Sequence, residues 1–303
     1  MTLALPVEGE ILYRTFSVSS APCSDGVVEM TVKAHPGGRA TGWLHRNLQP
    51  GGKLFARRPR GRFTLARRSG EKLAFVSGGS GATPLMAMLR HLAATEHDAD
   101  VAWFHAARAP EEVLFPAELA GLQDRMPNLR IAVTVSRPGP GWFGFRGRLS
   151  RRLLSVAIPD LGRRDVFCCG PAPFMEEARL IHRAEGGRPE AFHTEAFGPV
   201  SLGAAAASIA DADAGAGGTA YALRVGSRVL QVKADETILQ ASLRQGVVIP
   251  CGCGQGLCGT CRITRVAGDV EMRHQGGLAP DEEQSGYILA CSTRLRSDAE
   301  IRL

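Results

Sequence analysis

Four cysteines near the end of the chain restrict how its C-terminal part can fold. Cys253, Cys258 and Cys261 form a C-x4-C-x2-C pattern within PCGCGQGLCGTC, and Cys291 follows after a long interval. Thiolates with this spacing hold a [2Fe–2S] cluster of the plant type. The intervening glycines permit φ > 0 and bring amide N–H groups close to the negative charge of the cluster. The sequence therefore predicts an iron–sulfur centre with these four ligands.

Two other uses of the cysteines compete with this interpretation. Structural zinc sites are usually built from two C-x2-C pairs, and here there is only one. A disulfide framework fits poorly with a chain of 303 residues that begins without a secretory signal. The runs CGQGLCGTC and YILACSTR, the second containing Cys291, resemble the C-terminal ferredoxin domain of reductases that supply oxygenases. Cys251 has no counterpart as a ligand and is interpreted as a nearby free thiol.

The composition is that of a globular protein. A length of 303 residues allows two or three domains, and 44% hydrophobic with 22% charged residues is ordinary for such proteins. No apolar run approaches the ~18 residues that indicate a membrane span. Eight cysteines in a chain of this kind indicate metal or redox use in a reducing compartment, so we expect a cytoplasmic protein without a membrane partner.

A run of arginines contributes to the formal net charge of +6. Such a run attracts phosphates, an acidic protein partner or nucleic acid, although it can also be a solvated surface. Aromatic residues are not interleaved with it, which argues against nucleic acid. The run consists of Arg57, Arg58, Arg60, Arg62, Arg67 and Arg68.

A strand predicted at residues 11–18 ends in the segment RTFS. This segment resembles the RxYS motif of the flavin barrel in the ferredoxin-reductase family. The resemblance implies that Arg14 contacts the flavin pyrophosphate, that Phe16 stacks on the isoalloxazine, and that Ser17 approaches its N5. Thr15 lies within the same motif. Phe16 replaces the usual tyrosine, which keeps the stacking face and loses the phenol hydroxyl.

The next segment contains a strand predicted to end near Lys33, a glycine-rich turn and a short helix predicted to begin at about Thr41. A helix N-terminus beside glycines suits a pyrophosphate, although Thr41 can equally serve as a plain N-cap. The resemblance implies cofactor contacts from Lys33 and Thr41 and favours FAD, with FMN as the alternative. GRF at 61–63 resembles the end of the barrel. Because few residues precede Arg14, we expect an antiparallel barrel whose first strands are missing.

Strands and helices alternate from residue 73 onward, which predicts a doubly wound α/β domain with a parallel sheet. Its first strand leads through GGSGATP into a helix. A helix N-terminus that follows a glycine-rich turn can bind a dinucleotide pyrophosphate, although a tight structural turn has the same pattern. Gly79 and Gly81 are the candidate residues of the turn, while Thr83 and Pro84 are predicted as N-cap and first helical residue. A second helix is predicted over 110–122 despite Pro116.

Two later segments resemble signatures of the same reductases. CGPAPFM is similar to CGPxxFM, in which the cysteine lies beside the nicotinamide C4, and HTEAFGP is similar to the domain ending HxExFG. The resemblance implies that Cys169 and Glu195 shape the hydride-transfer pocket and that Phe197 lies near the flavin. Cys169 can otherwise be a small core residue. The remaining residues taken from the first signature are Gly170, Pro171, Phe174 and Met175.

Arg108 follows a predicted strand, WFHAAR, without an acidic residue at the strand end. A guanidinium at this position can pair with a 2′-phosphate, which favours NADPH over NADH as the electron donor. A solvated surface arginine is the alternative.

The C-terminal part is predicted to follow a linker. Residues 200–218 are small and polar without aromatics, which is typical of a flexible segment. Beyond it, paired strands near 220–225 and 228–233, a helix near 236–245 and a strand at 299–303 resemble a β-grasp ferredoxin. We therefore expect a flavin-binding domain at 1–70, a NAD(P)-binding domain at 71–199, the linker, and a ferredoxin-like domain at 219–303.

The resemblance implies a reductase that passes electrons from NAD(P)H through FAD to the [2Fe–2S] cluster and on to a terminal oxygenase. Hydride arrives as two electrons and the cluster accepts one at a time, so the flavin must convert between them. Ser17, Cys169 and Glu195 are the candidate catalytic residues. Three alternatives remain: another acceptor such as a desaturase, a cytochrome P450 or a hybrid-cluster protein; an electron carrier or redox sensor whose flavin domain no longer works; and a zinc-stabilised binding module.

Overall fold

The backbone of the computed structural model forms separate sheets along the chain. The structure describes residues 1–22, 26–59, 61–197, 220–251, 254, 256, 259–274 and 277–303. The linker predicted at 200–218 lies outside these residues, as do Arg60, Cys253 and Cys258. Among the described helices, none has the length and apolar character needed to cross a bilayer.

The N-terminal sheet is antiparallel and contains three strands in the described residues, in the order β2-β1-β3. The strands are β1 (Thr2–Val7), β2 (Glu10–Thr15) and β3 (Phe55–Arg57). The tight β1–β2 connection uses Glu8 and Gly9 with φ of 53° and 82°, as the right-handed twist of a hairpin requires. Alternate residues of β1 are buried against the helix α1 (Arg39–Asn47), which forms a small core.

Two predictions for this region are wrong. Residues 26–35 do not form the strand predicted to end near Lys33, because side chains of the following helix form hydrogen bonds with backbone groups of this segment. His45 Nε2 contacts the Val32 carbonyl at 2.8 Å, and the His35 amide donates to Thr41 Oγ1 at 3.2 Å. Thr41 is therefore not an N-cap, since α1 already begins at Arg39.

The central sheet has six parallel strands in the order β7-β6-β5-β4-β8-β9. Helices cover both faces and enclose two separate cores, which confirms the predicted doubly wound architecture. Strand order reverses between β4 and β8, and a ligand crevice is expected at the carboxyl ends of strands at such a point. The elements are β4 (Lys72–Gly78), α2 (Ala82–Thr95), β5 (Asp100–Ala107), α3 (Pro116–Arg125), β6 (Leu129–Val135), β7 (Phe145–Arg146), α4 (Arg151–Ala157), β8 (Asp165–Gly170), α5 (Ala172–Ala184) and β9 (Phe192–Ala196).

Two helix starts in this domain differ from prediction. Gly81 caps α2 in place of Thr83, whose hydroxyl lies within the first turn and donates to the Ser80 carbonyl at 3.0 Å. The helix predicted over 110–122 is interrupted, because the residue before a proline is disfavoured in the helical conformation. Phe115 adopts a left-handed φ of 58°, and α3 begins at Pro116.

The C-terminal domain has a five-stranded mixed sheet in the order β11-β10-β16-β12-β14, beside a two-stranded sheet of β13 and β15. The predicted hairpin, helix and final strand are all present. A capping box between Thr237 and Gln240 fixes the start of the helix. The elements are β10 (Ala220–Val225), β11 (Arg228–Lys233), α6 (Ile238–Arg244), β12 (Arg262–Ala267), β13 (Val270–Met272), α7 (Pro280–Gln284), β14 (Tyr287–Leu289), β15 (Thr293–Leu295) and β16 (Ala299–Arg302).

Candidate functional site

A cavity of about 1110 Å³ lies where the N-terminal and central domains meet. Sites for drug-sized ligands typically occupy roughly 300–1,000 Å³, so this one can accept a larger cofactor. Thr260 of the C-terminal domain also lines it, so all three parts of the chain border the cavity. Ten predicted site residues line it: Arg14, Thr15, Phe16, Ser17, Lys33, Thr41, Thr83, Pro84, Glu195 and Phe197.

The closest contact between predicted catalytic residues joins Ser17 to Glu195. Ser17 Oγ donates to Glu195 Oε2 at 2.6 Å, although 178 residues separate the two in sequence. Burial raises the pKa of the Glu195 carboxyl, while the hydrogen bond from Ser17 acts in the opposite direction. The pair is therefore a place where a proton can be held or exchanged at the cavity wall.

The N-terminus of α1, Arg14 and Arg39 lie on one side of the cavity, and Arg39 also pairs with two carboxylates of the β1–β2 hairpin. Gly38, Arg39 and Thr41 line the cavity at the start of the helix, where free backbone N–H groups favour an anion. Burial lowers the pKa of the half-buried Arg14, and the nearby positive charge of Arg39 lowers it further. Sequence reasoning missed Arg39, for which a basic residue in a first helical turn was the available signal.

Lys33 is held differently from expectation. It lines the cavity, but its ammonium group forms an ion pair with Glu112 of the central domain. Glu112 has a lowered pKa, chiefly because of this hydrogen bond and also because of the positive charges of Arg108 and Arg137. Lys33 therefore connects the two domains at the cavity.

The two glycine-rich motifs of the central domain contact each other at the carboxyl ends of β4 and β8. A Cβ on Gly81 would lie 2.0 Å from the Cys169 carbonyl oxygen, and one on Gly170 would lie 2.9 Å from Phe174 Cδ1. A Cβ on Gly78 would similarly lie 3.1 Å from Pro171 Cδ. Only glycine permits this approach, which brings GGSG and CGP together at the reversal of strand order.

A buried polar chain lies beneath the GGSG turn. Ser77 Oγ contacts His105 Nδ1 at 2.8 Å and accepts a hydrogen bond from Trp103 Nε1 at 2.8 Å. Burial lowers the pKa of His105 to about 4, so its ring is neutral at physiological pH. This network holds the end of β4 next to β5, and sequence reasoning missed it because three strand positions must come together.

Cys169 is fully buried, and the parallel register pairs it with Glu195. Burial raises the pKa of its thiol, and the nearby Glu195 and Cys168 act in the same direction. The thiol of Cys169 is therefore neutral, and because only a thiolate is a strong nucleophile, Cys169 is not a nucleophile at this site. Cys169, Gly170, Pro171, Phe174 and Met175 do not line the cavity, and neither do Gly79 and Gly81.

Arg108 also lies outside the cavity, directly after β5. The Arg137 amide donates to the Arg108 carbonyl at 2.7 Å, so the two arginines follow neighbouring parallel strands. Sequence reasoning missed Arg137, whose position after β6 was the available signal. Together they form a basic edge beside the nucleotide-type motifs.

The described part of the cysteine-rich segment has the features expected of a cluster loop. Gly254, Gly256 and Gly259 have φ of 68°, 72° and 72°, as predicted. The Gly256 amide donates to Cys291 Sγ at 3.2 Å, which is the kind of contact that stabilises a thiolate ligand. Cys261 and Cys291 are buried, and side-chain hydrogen bonds link Cys261 to Cys291 and to Cys251. These residues fit two of the four ligands, while Cys253 and Cys258 lie outside the described residues.

Comparison with protein families gives three matches along the chain. Residues 1–65 match the oxidoreductase FAD-binding domain, residues 75–180 the oxidoreductase NAD-binding domain, and residues 224–296 the 2Fe-2S iron-sulfur cluster binding domain. These matches agree with the chemistry expected of the cavity, the glycine-rich edge and the cysteine loop.

Similar proteins include the reductase subunits of a monooxygenase and of an N-demethylase. The glycine betaine monooxygenase reductase subunit of Chromohalobacter salexigens is 35% identical, over 99% of this chain and 85% of the relative. The stachydrine N-demethylase reductase subunit of Rhizobium meliloti is 34% identical, over 97% and 84%. Among solved structures, phthalate dioxygenase reductase shares the fold, with a TM-score of 0.57 and 24% identity over 100% of this chain and 85% of that one.

Proposed function

The chain belongs to the family of oxygenase reductase components that join FAD-binding, NAD-binding and 2Fe–2S domains, and from this premise we propose that its acceptor is a terminal oxygenase. It is an NAD(P)H-dependent oxidoreductase, in which electrons pass from the nicotinamide through the flavin to the iron–sulfur cluster. When bound, the flavin supplies the conversion of a hydride into single electrons.

One observation most directly supports a flavin that lies between the electron donor and the cluster. The cavity is bordered by Ser17 of the N-terminal domain, Glu195 of the central domain and Thr260 of the cluster loop. Electron donor, flavin and cluster must approach one another closely, and these residues give each domain access to the same space. A carrier that no longer used flavin would not need such a shared cavity.

We assign roles on the flavin side from this arrangement. Arg14 and the N-terminus of α1 bind the pyrophosphate, since they provide positive charge and free N–H groups at the cavity. Arg39 lies beside them, but its guanidinium is paired with Glu8 and Glu10. Phe16 and Phe197 offer aromatic faces to the ring system. Ser17 and Glu195 hold a proton where charge changes on reduction, because burial disfavours the ionised carboxyl.

On the nucleotide side, Gly79 and Gly81 let the dinucleotide approach the start of α2, where Thr83 and Pro84 form the first turn. Cys169, Gly170 and Pro171 shape the nicotinamide end, with Phe174 and Met175 packing behind them. Arg108, joined by Arg137, binds a 2′-phosphate and favours NADPH.

We propose domain limits at 1–70, 71–199 and 219–303, separated by a linker at 200–218. The linker composition supports these limits, since small polar residues do not form a packed core. Limited proteolysis should cut first within 200–218, and a first cut elsewhere would contradict the limits. The eight cysteines support a reducing, cytoplasmic location.

The relatives suggest the class of substrate on which the acceptor acts. Glycine betaine and stachydrine are both N-methylated quaternary ammonium compounds, and we propose an oxygenase that removes such methyl groups. A desaturase or a cytochrome P450 would be served by the same domains, so the acceptor must be tested directly.

Two experiments test the proposal. In the first, the purified protein is titrated anaerobically with NADH and with NADPH while the visible spectrum is followed. Flavin and iron–sulfur bands should both bleach, and a protein that bleaches with neither donor is not a reductase. In the second, the protein is combined with a candidate oxygenase and glycine betaine, and formaldehyde is measured with and without the reductase.

A further inference from the structure

The carboxylate of Glu282 is the centre of a contact between the N-terminal and C-terminal domains. Glu282 lies in α7 and accepts a hydrogen bond from the Ala279 amide at 2.9 Å, which caps its own helix. Both of its oxygens also form ion pairs with arginines, Oε1 with Arg262 and Oε2 with Arg62. Its side chain is only 17% exposed, so the carboxylate is largely shielded from water.

Arg262 belongs to the same domain as Glu282 and connects it to the cluster loop. It directly follows the predicted ligand Cys261, and its guanidinium lies 4.8 Å from the ring centroid of Tyr287. Glu282, Arg262 and Tyr287 therefore form a fixed unit beside the cluster loop.

Arg62 reaches this unit from a different domain, 220 residues away in the chain. The neighbouring Phe63 packs edge-on against Phe167 of the central sheet at 5.6 Å, which fixes the backbone on the flavin side. A side chain at Gly259 would come within 3.5 Å of Arg62 Cδ, so the arginine stem lies directly against the cluster loop. Thr260, the next residue, lines the flavin cavity.

We propose that Arg62 and Glu282 are a positioning pair that docks the cluster loop at the flavin cavity during electron transfer within the molecule. The inference rests on the proposed function and adds a residue contact to it. The step served passes one electron from reduced flavin to oxidised cluster, and no bond forms or breaks. The pair contacts neither cofactor and acts through the position of residues 259–262.

The geometry separates Arg62 from the other arginines of its run. Arg57 lies over the Tyr13 ring, and Arg68 forms a bidentate pair with Glu96. Both therefore have partners outside the C-terminal domain. Arg58 is exposed and takes no part in the ion pairs found among the described residues. Arg58 is thus a matched control for the loss of one positive charge in the same run.

The test uses Arg62→Gln, Glu282→Gln and the double variant of the full-length holoprotein, with Arg58→Gln and Asp235→Asn as controls. Glu282→Gln keeps an oxygen that can accept the Ala279 amide, so the helix cap survives while the charge is lost. Asp235→Asn removes one negative charge from an exposed residue of the same domain, whereas the charge of Asp281 acts on Arg62 itself. Cluster reduction after flavin reduction is followed by anaerobic stopped-flow absorbance at several salt concentrations.

We expect each single variant to slow cluster reduction roughly tenfold at low salt, the factor that corresponds to about 1.4 kcal/mol of coupling. The double variant should be no slower than Glu282→Gln alone, because the Arg62–Glu282 pair is already lost in that variant, which also loses the pair with Arg262. Arg62→Lys should recover part of the rate of cluster reduction. Added salt should reduce the difference in this rate between Arg62→Gln and wild type. A merely structural role of Arg62 would slow dye reduction together with cluster reduction, whereas a positioning role slows cluster reduction alone.

A second measurement does not depend on activity. Hydrogen–deuterium exchange should increase at α7 and at residues 259–264 in Arg62→Gln, while both controls remain like wild type. Rates and exchange in Arg62→Gln that match those of Arg58→Gln would overturn the proposal. Dye reduction by NAD(P)H bypasses docking and should persist, and its loss in Arg62→Gln would also overturn the proposal by showing damage to the flavin domain. Failure of dye reduction in the wild type would instead contradict the proposed function itself.

Discussion

Gly81 offers a sharp test of the contact between the two glycine-rich motifs. Its backbone is in an ordinary helical conformation, with φ of −61° and ψ of −9°, so alanine could adopt it without strain. On conformation alone, Gly81→Ala should stabilise the protein by about 0.4–1 kcal/mol, because alanine reduces the entropy of the unfolded chain. The sign of the effect therefore depends on the space around the Cβ.

That space is absent in the structure. The added Cβ would lie 2.0 Å from the Cys169 carbonyl oxygen, 2.4 Å from its carbon and 2.8 Å from the Gly170 nitrogen. All three are backbone atoms, so a rotamer change cannot relieve the overlap and the GGSG turn must move away from β8. We expect a destabilisation of about 2–3 kcal/mol, as for other overpacked sites. In a domain of this size that corresponds to roughly 5–10 °C in Tm.

Gly79 provides the matched control. It adopts a φ of 55°, but nothing lies within 4 Å of its Cβ position. Gly79→Ala should therefore cost about 1 kcal/mol from conformation alone. Differential scanning calorimetry of both variants measures their stability. Gly81→Ala should be the less stable variant, and a neutral or stabilised Gly81→Ala would refute the reasoning.

Three further predictions follow from the site. Folding raises the pKa of Glu195, so the free energy of unfolding of the wild type should fall as pH rises from the ordinary glutamate pKa of 4.5 and the carboxyl ionises. Glu195→Gln lacks this ionisation and should become more stable relative to wild type over the same pH range. Thermal unfolding between pH 4 and 8 measures the difference in stability, and a difference that stays constant with pH would argue against the prediction. Cys258→Ser should remove the iron–sulfur absorbance and EPR signal while NAD(P)H-driven dye reduction continues, and loss of both would contradict separate electron-transfer modules. Arg108→Ala should raise KM for NADPH at least tenfold more than KM for NADH, since a phosphate pairing is worth about 1.5–3 kcal/mol; equal effects in steady-state kinetics would remove the 2′-phosphate assignment.

Local patterns predicted most of the secondary structure of the central and C-terminal domains. Strand β4, the GGSG turn and α2 follow from an apolar run, glycines and helical periodicity, all of which act over short distances. The same holds for the hairpin of β10 and β11. These elements were predictable because neighbouring residues determine them.

The wrong predictions of helix starts and of the strand near Lys33 arose where other contacts outweighed a local sequence preference. Thr83 is a favourable N-cap residue, but Gly81 allows the helix to start earlier because its missing side chain lets the turn approach Cys169. Pro116 does not lie within a longer helix and instead begins α3. Near Lys33, strand propensity lost to hydrogen bonds from α1 side chains.

Contacts between domains could not be predicted from the sequence, since they depend on how completed elements pack. The Ser17–Glu195 and Arg62–Glu282 contacts join residues 178 and 220 positions apart. Ser17, Glu195 and Arg62 lay in recognised segments, whereas Glu282 did not, and the sequence contained no sign that these residues meet. Lys33 and Glu112 are a third case, in which a predicted cofactor residue also joins two domains.

The arginine run shows why the difference between a local sequence pattern and a contact between domains matters for function. As a sequence pattern it predicts one basic surface for a phosphate or an acidic partner. In the structure its members diverge: Arg57 faces Tyr13, Arg68 pairs with Glu96, and Arg62 pairs with Glu282 beside the cluster loop. A charge already paired in this way attracts an external anion less strongly, because the partner carboxylate cancels much of its field. The acidic surface that the run meets is therefore within the same chain, and an external acceptor that used Glu282 would have to displace Arg62 first.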